Sequence, residues 1–186
     1  MTLTSQISSI TMAACVVFAC APTPADAAVT AYFSAATSCK GPSSVAFKPG
    51  GPAISVTLCA DASKEAICGH SVQLEAESAD SSNRFEVVAH KMGPNYSDPT
   101  LENPAAAIAI GHPASPHDFG GTRDNPFPPS THQVLVIFTL RPMASAKERA
   151  YTLRLGKNSL VSVGKNGSCL ENSEAPISAR LTLERD

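Results

Sequence analysis

Two histidines and an aspartate lie close together in one stretch of the sequence and could act as metal ligands. His112, His117 and Asp118 occur in GHPASPHD, and His132 follows further along. Imidazole and carboxylate groups bind borderline metals such as zinc. However, the segment between the two histidines is irregular and proline-containing, so it fixes no ligand spacing. We therefore interpret these histidines as solvated loop residues and predict no metal site; a small metal-dependent enzyme using His112 and His117 is the alternative.

The sequence lacks the signatures of common catalytic sites. It contains no G-x-S-x-G element, no P-loop and no dinucleotide fingerprint. His70 and His90 lie on or beside predicted strands and are interpreted as surface or edge residues. Residues 120–124 (GGTRD) and 147–149 (KER) are interpreted as a flexible turn and a solvated turn. We therefore predict no catalytic residue and no cofactor.

Aromatic residues that could stack against a sugar ring are few. The chain has no Trp and 3 Tyr. Tyr151 shares a predicted strand face with apolar residues and is assigned to the core, Tyr32 is predicted to point outward, and Tyr96 lies in a proline-rich stretch. A carbohydrate-binding module is thus a further alternative. The formal charge of -2 excludes a strongly basic nucleic-acid-binding protein.

The N-terminal residues have the pattern of an export signal. An apolar run from Ile10 to Ala21 is too short to span a bilayer, which takes about 20 residues. The A-x-A sequence at residues 25–27 then predicts cleavage before Ala28. No Lys or Arg precedes Lys40, which is atypical, and a lipoprotein signal ending at Cys20 is the minor alternative. We predict a signal peptide over residues 1–27 and a secreted or periplasmic single domain over 28–186, with no further membrane span.

Four cysteines remain after the predicted cleavage. Cys39, Cys59, Cys68 and Cys169 contain no C-x2-C pair, which argues against zinc, and an even number in an exported domain indicates disulfides. Cys59 and Cys68 lie at the facing ends of two successive strand-like runs. The predicted pairs are therefore Cys59–Cys68 and Cys39–Cys169.

Apolar and polar residues alternate along most of the mature sequence. This period-2 pattern is typical of strands with one buried face, and Gly- and Pro-rich turns separate the runs. We find no stretch with helical periodicity and caps. The pattern predicts an all-β, antiparallel β-sandwich of about nine strands, located near residues 29–35, 54–58, 72–76, 85–89, 105–110, 133–140, 151–155, 160–163 and 177–183.

One stretch departs from this pattern. Residues 92–130 hold eight of the 15 prolines, and proline cannot donate to a central ladder. Only residues 105–110 are predicted to pair there. Because long irregular excursions are often functional, this is the predicted location of any specific site.

The order of these features resembles a bacterial cohesin-like module. The residues that carry the resemblance run from Ser44 to Val163 and include VAFKPGGPAISVTLCAD, HSVQLEAES, RFEVVAH, NPAAAIAIG, HQVLVIFTLRP and RAYTLRLGKNSLVSV. The resemblance implies a jelly-roll or immunoglobulin-like sandwich and a non-catalytic module that binds a protein or a cell surface. The sequence thus favours a secreted binding or scaffolding module with an unknown protein or surface ligand.

Overall fold

The computed structural model describes residues 29–78, 82–94, 96, 108–111, 118–127, 130–165 and 168–186. These residues contain 12 strands and no helix. The strands are β1 (Thr30–Ser34), β2 (Ser44–Phe47), β3 (Ile54–Ala62), β4 (Ala66–Glu77), β5 (Phe85–Met92), β6 (Ile108–Ile110), β7 (Asp118–Phe127), β8 (Ser130–Pro142), β9 (Ala150–Leu155), β10 (Leu160–Lys165), β11 (Ser168–Pro176) and β12 (Arg180–Arg185).

The strands form two sheets. The five-stranded sheet has the order β1-β3-β8-β5-β6, and the seven-stranded sheet has the order β11-β10-β4-β9-β12-β2, with β7 paired to β4. Every pair is antiparallel except β12 with β2, which is parallel. The predicted all-β sandwich is confirmed. Its strand pairs are antiparallel as predicted, apart from the one parallel pair.

The strand register explains the sequence alternation. In β12, Leu181 and Leu183 are 2% and 0% exposed, whereas their neighbours Arg180 and Thr182 lie on the outer face. In β9, Tyr151 and Leu153 point inward in the same way. This burial is the main source of stability for a sandwich, since removal of apolar area from water contributes roughly 25 cal/mol per Å².

Aromatic rings from both sheets meet in the core. Phe47 of β2, Phe85 of β5 and Tyr151 of β9 pack together, with ring centroids 5.2 to 5.8 Å apart. A second group joins Phe119 of β7 to Phe138 of β8 at 5.0 Å. The predicted core position of Tyr151 is confirmed at 2% exposure.

Three strands account for the difference between the nine predicted and the 12 observed. They are β2, β7 and β11.

Residues 120–124 belong to β7, so their interpretation as a flexible turn is wrong. Gly121 lies opposite His70 of β4, and a Cβ there would stand 3.0 Å from His70 Cε1 and 3.2 Å from Met92 Sδ. A side chain at this position would force the buried neighbours to move by a few tenths of an ångström, because the strand passes close to them.

Candidate functional site: a charged sheet face and its surroundings

The histidine cluster predicted as a possible metal site lies mostly outside the described part of the chain. His112 and His117 are not among the described residues, and Asp118 begins β7. Within the described ranges, no group of three or more His, Cys, Asp or Glu side chains could hold a metal ion. The described residues also form no helix that is long and apolar enough to cross a membrane.

His132 takes part in a contact that the sequence did not indicate. Its Nδ1 lies 2.5 Å from the hydroxyl of Tyr32, and its backbone N–H donates to Asp61 Oδ1 at 2.6 Å. His132 has a φ of 59°, which is unusual for a residue other than glycine. Burial, and secondarily Asp61, raise the pKa of Tyr32 above its ordinary value. Tyr32, Asp61 and His132 thus connect β1, β3 and β8 at one end of the five-stranded sheet. Within this group, the imidazole of His132 is exposed to solvent.

His70 and His90 are core residues, so their interpretation as surface or edge residues is wrong. They are 4% and 2% exposed. The ring of His70 packs on Tyr96 and that of His90 on Phe119, with centroids 4.8 and 4.9 Å apart. Burial lowers the pKa of His70 to about 4, which keeps the ring neutral at neutral pH. His70 lies two residues from the buried Val72, so its inward direction was visible in the sequence. His90 has the opposite parity to the buried Phe85 and Val87, and it turns inward because the register of β5 shifts between Val87 and Ala89.

The four cysteines form two disulfides, but the predicted pairing is wrong. The bonds are Cys39–Cys59 and Cys68–Cys169, rather than Cys59–Cys68 and Cys39–Cys169. Cys59 lies on β3 and Cys68 on β4, and these successive strands belong to different sheets. The chain therefore passes from one sheet to the other between these strands instead of forming a hairpin. Cys59 and Cys68 consequently do not lie opposite each other on paired strands, as the predicted local disulfide requires.

The Cys68–Cys169 bond ties β11 to β4 across β10. Gly164 of β10 lies beneath it: a Cβ at this position would stand 2.9 Å from Cys68 Sγ and 2.7 Å from the Ser168 carbonyl oxygen. The disulfide therefore depends on a glycine in the intervening strand. It fixes the start of β11 to the centre of the sheet.

The outer face of the seven-stranded sheet is polar and carries a row of charges. Glu75 of β4 lies opposite Arg154 of β9, and Arg154 lies opposite Arg180 of β12. We call these three residues the charged row. Arg154 Nη2 is 2.7 Å from Glu75 Oε2, and Arg154 Nε is 3.8 Å from Glu77 Oε2. The charges thus cross three adjacent strands in register.

Partial burial distinguishes this ion pair from ordinary surface pairs. The side chains of Arg154 and Glu75 are 25% and 10% exposed. A guanidinium held by a largely buried carboxylate has a fixed geometry, and Arg is enriched where proteins bind each other. The charged row can therefore provide a preorganised, directional contact to another protein.

The outer face of the five-stranded sheet offers a direct comparison. Arg141 of β8 lies opposite Glu86 of β5 and donates from Nε and Nη2 to Glu86 Oε2 at 2.9 and 2.6 Å. Its side chain is 54% exposed. Among the described residues this ion pair spans two strands, whereas the charged row continues onto a third strand.

Structural comparison places the fold among cohesin modules. The third ScaB cohesin of R. flavefaciens, solved in complex with a group 1 dockerin, superposes with a TM-score of 0.53 at 14% identity, over 87% of this chain and 97% of that one. The sixth cohesin of scaffoldin B from Acetivibrio cellulolyticus, solved with a dockerin, gives 0.53 at 11% identity, over 85% and 99%. The seventh ScaB type I cohesin from Pseudobacteroides cellulosolvens gives 0.50 at 13%, over 85% and 92%.

These likenesses establish a shared fold, as the sequence pattern predicted. No protein-family model matches the sequence. No curated protein matches it at a significant level.

Proposed function

We propose that this protein is a secreted, non-catalytic module that binds another protein through the outer face of its seven-stranded sheet. The observation that carries the proposal is the charged row of Glu75, Arg154 and Arg180, presented on a sandwich with the cohesin fold. Two of the structures with this fold were solved with a bound dockerin, which makes a small protein module the first class of ligand to test.

A rigid sandwich suits this role. The face is formed by paired strands rather than by loops, so its side chains are held in place before binding and little conformational entropy is lost on association. Electrostatic complementarity to the row would then select the partner and speed its encounter.

We also propose that the protein works outside the cytoplasm, after removal of residues 1–27. The two disulfides support an oxidising compartment, since such bonds are rare where thiols are kept reduced. N-terminal sequencing of the exported protein should give Ala28 as the first residue. An N-terminus at Cys20 bearing a lipid would instead establish the lipoprotein form.

Binding can be tested with the purified protein immobilised as bait. Exported proteins from the source cells are passed over it, each retained protein is purified, and its binding is measured by calorimetry. We expect a saturable interaction of one partner with one site. Failure of every purified candidate to bind, together with a positive signal on a glycan array, would contradict the proposal and favour a carbohydrate-binding module.

A further inference from the structure

Strand β11 leaves one edge open. It pairs with β10, and no other described strand pairs with its second edge. The strand is nine residues long, whereas β1, β2 and β6, which also pair on one side, have five, four and three; β7, which has ten, pairs on one side as well. Short edge strands protect a sheet from unwanted pairing, and β11 lacks that protection.

The hydrogen-bond alternation shows which backbone groups point outward. The Ile177 N–H donates to the Ser159 carbonyl oxygen at 3.1 Å, directly after the pair Pro176–Leu160. Residues 177 and 159 are therefore a hydrogen-bonded pair, and hydrogen-bonded pairs recur at every second position. It follows that Ser173 and Ala175 bond to β10. Asn172 and Glu174 direct their N–H and C=O groups away from β10.

The start of β11 presents a fixed apolar side chain. Leu170 is 97% exposed. Its N–H donates to Ser168 Oγ at 3.2 Å, and the Asn172 side chain donates to the Cys169 carbonyl oxygen at 3.0 Å. Residues 169–171 bulge out of the pairing between β10 and β11. These two hydrogen bonds and the Cys68–Cys169 disulfide hold the bulge in place. Leu170 is thus available to a partner without first being ordered.

The charge of the edge indicates what it would bind. β11 contains Glu171 and Glu174, both exposed, and no Lys or Arg. A second copy pairing along the same edge would bring like charges together, which is destabilising. A basic strand would complement them.

We propose that the open edge of β11 binds an extended, basic peptide segment of a partner protein, which adds to the sheet as a further strand. Backbone hydrogen bonds to Asn172 and Glu174 would hold the segment, and an apolar side chain of the segment would contact Leu170. This mode of recognition derives affinity from the main chain and specificity from alternate side chains. The proposal rests on the proposed protein-binding function and assigns it a second surface, apart from the charged row.

The test uses a synthetic eight-residue peptide of alternating Lys and Val, with a Glu–Val peptide of the same length as control. Binding is followed by backbone amide NMR of the purified protein. We expect the Lys–Val peptide to shift the amide resonances of Asn172 and Glu174 and to slow their exchange with solvent, and the Glu–Val peptide to leave them unchanged. No shift at these amides, or equal shifts with both peptides, would overturn the proposal.

Two variants separate the backbone contribution from the charge. Glu174→Pro removes an outward N–H without removing a bond to β10, and we expect at least tenfold weaker peptide binding with an unchanged melting temperature. Glu174→Lys keeps the N–H and reverses the charge; it should weaken binding of the Lys–Val peptide and promote binding of the Glu–Val peptide. Unchanged affinity in both variants would refute the strand-addition model. If both Glu174 variants still bound a purified partner protein, the strand-addition model would also be refuted, whereas the proposed protein-binding function would stand.

Discussion

The imidazole of His70 packs edge to face on the ring of Tyr96, with the two centroids 4.8 Å apart and the planes at 85°. Neither ring nitrogen of His70 has a hydrogen-bond partner among the described residues. A histidine in this setting must stay neutral, because a buried charge without a partner is costly. We therefore expect protonation of His70 to weaken the contact between β4 and Tyr96.

Stability should fall as the pH drops from neutral. The pKa of His70 is about 4 in the folded protein, against an ordinary value of 6.5. Between these values the unfolded chain binds the extra proton, so the contribution is fully present above about pH 6.5 and is lost progressively toward pH 4. We expect a loss of about 2 kcal/mol between pH 7 and pH 5 from this residue.

The measurement is urea unfolding of the wild type and of His70→Phe at both pH values. The variant should lose correspondingly less stability on acidification. His132→Ala, which changes a half-exposed histidine, is the comparison variant. An identical pH dependence in wild type and His70→Phe would show that His70 is not the responsible group.

Removal of the disulfides should reveal their different loop lengths. The Cys68–Cys169 bond closes a sequence separation of 101 residues and Cys39–Cys59 one of 20. In the chain-entropy model these correspond to about 5 and about 3 kcal/mol. Paired Cys→Ser replacement at 68 and 169 should therefore lower the unfolding free energy more than replacement at 39 and 59. Peptide mapping without reduction should recover the same two pairs, and a fragment joining Cys59 to Cys68 would contradict them.

A side chain at Gly164 should destabilise the protein. Gly164→Ala places a methyl group 2.9 Å from Cys68 Sγ and 2.7 Å from the Ser168 carbonyl oxygen, so β10 or β11 must shift. We expect destabilisation of about 1–3 kcal/mol, as for other overpacked sites. Ser162→Ala in the same strand is the control and should change the melting temperature little. Equal melting temperatures for the two variants would mean that the strands do not lie this close.

The two leucines Leu153 and Leu170 provide a test of the core. Leu153 is 0% exposed and Leu170 is 97% exposed. Leu153→Ala should cost about 2–5 kcal/mol of unfolding free energy, whereas Leu170→Ala should stay within about 0.5 kcal/mol. Denaturant unfolding measures both. A large loss at Leu170 would place this side chain in the core rather than at the surface.

The metal-dependent alternative predicts a different response to chelation. If His112 and His117 are solvated loop residues, EDTA should leave the melting temperature unchanged, and replacing both by Ala should change stability by no more than about 0.5 kcal/mol. A bound metal would add its binding energy to folding. A chelator-induced drop that the double variant no longer shows would establish the metal site.

The fold was largely predictable because most strands bury one face. Alternation along β9 and β12 follows directly from side chains pointing inward and outward in turn. β11 was missed because both its faces are exposed, so its sequence shows no apolar period. β7 was missed because its two glycines, which lie close to His70, are also residues typical of turns.

The candidate site was less accessible from sequence. Glu75 and Arg154 are far apart in the chain, and only the register of β4 with β9 brings them together. The disulfide pairs failed for a related reason, since pairing depends on which sheet each strand joins. Local spacing suggested that β3 and β4 form a hairpin, but they lie in opposite sheets.

The central claim is most directly tested by the affinity of a purified protein partner for two charge-reversed variants. Arg154→Glu alters the charged row, and Arg141→Glu alters the cross-strand pair on the opposite face. Both substitutions change the net charge by the same amount, so a general electrostatic effect would weaken partner binding equally in the two variants. We expect at least tenfold weaker binding for Arg154→Glu and unchanged binding for Arg141→Glu, measured by calorimetry at a temperature at which both variants are fully folded, since Arg154→Glu places a second carboxylate beside the largely buried Glu75 and should lower the melting temperature more. Unchanged binding in Arg154→Glu, or an equal loss in both variants, would contradict the account.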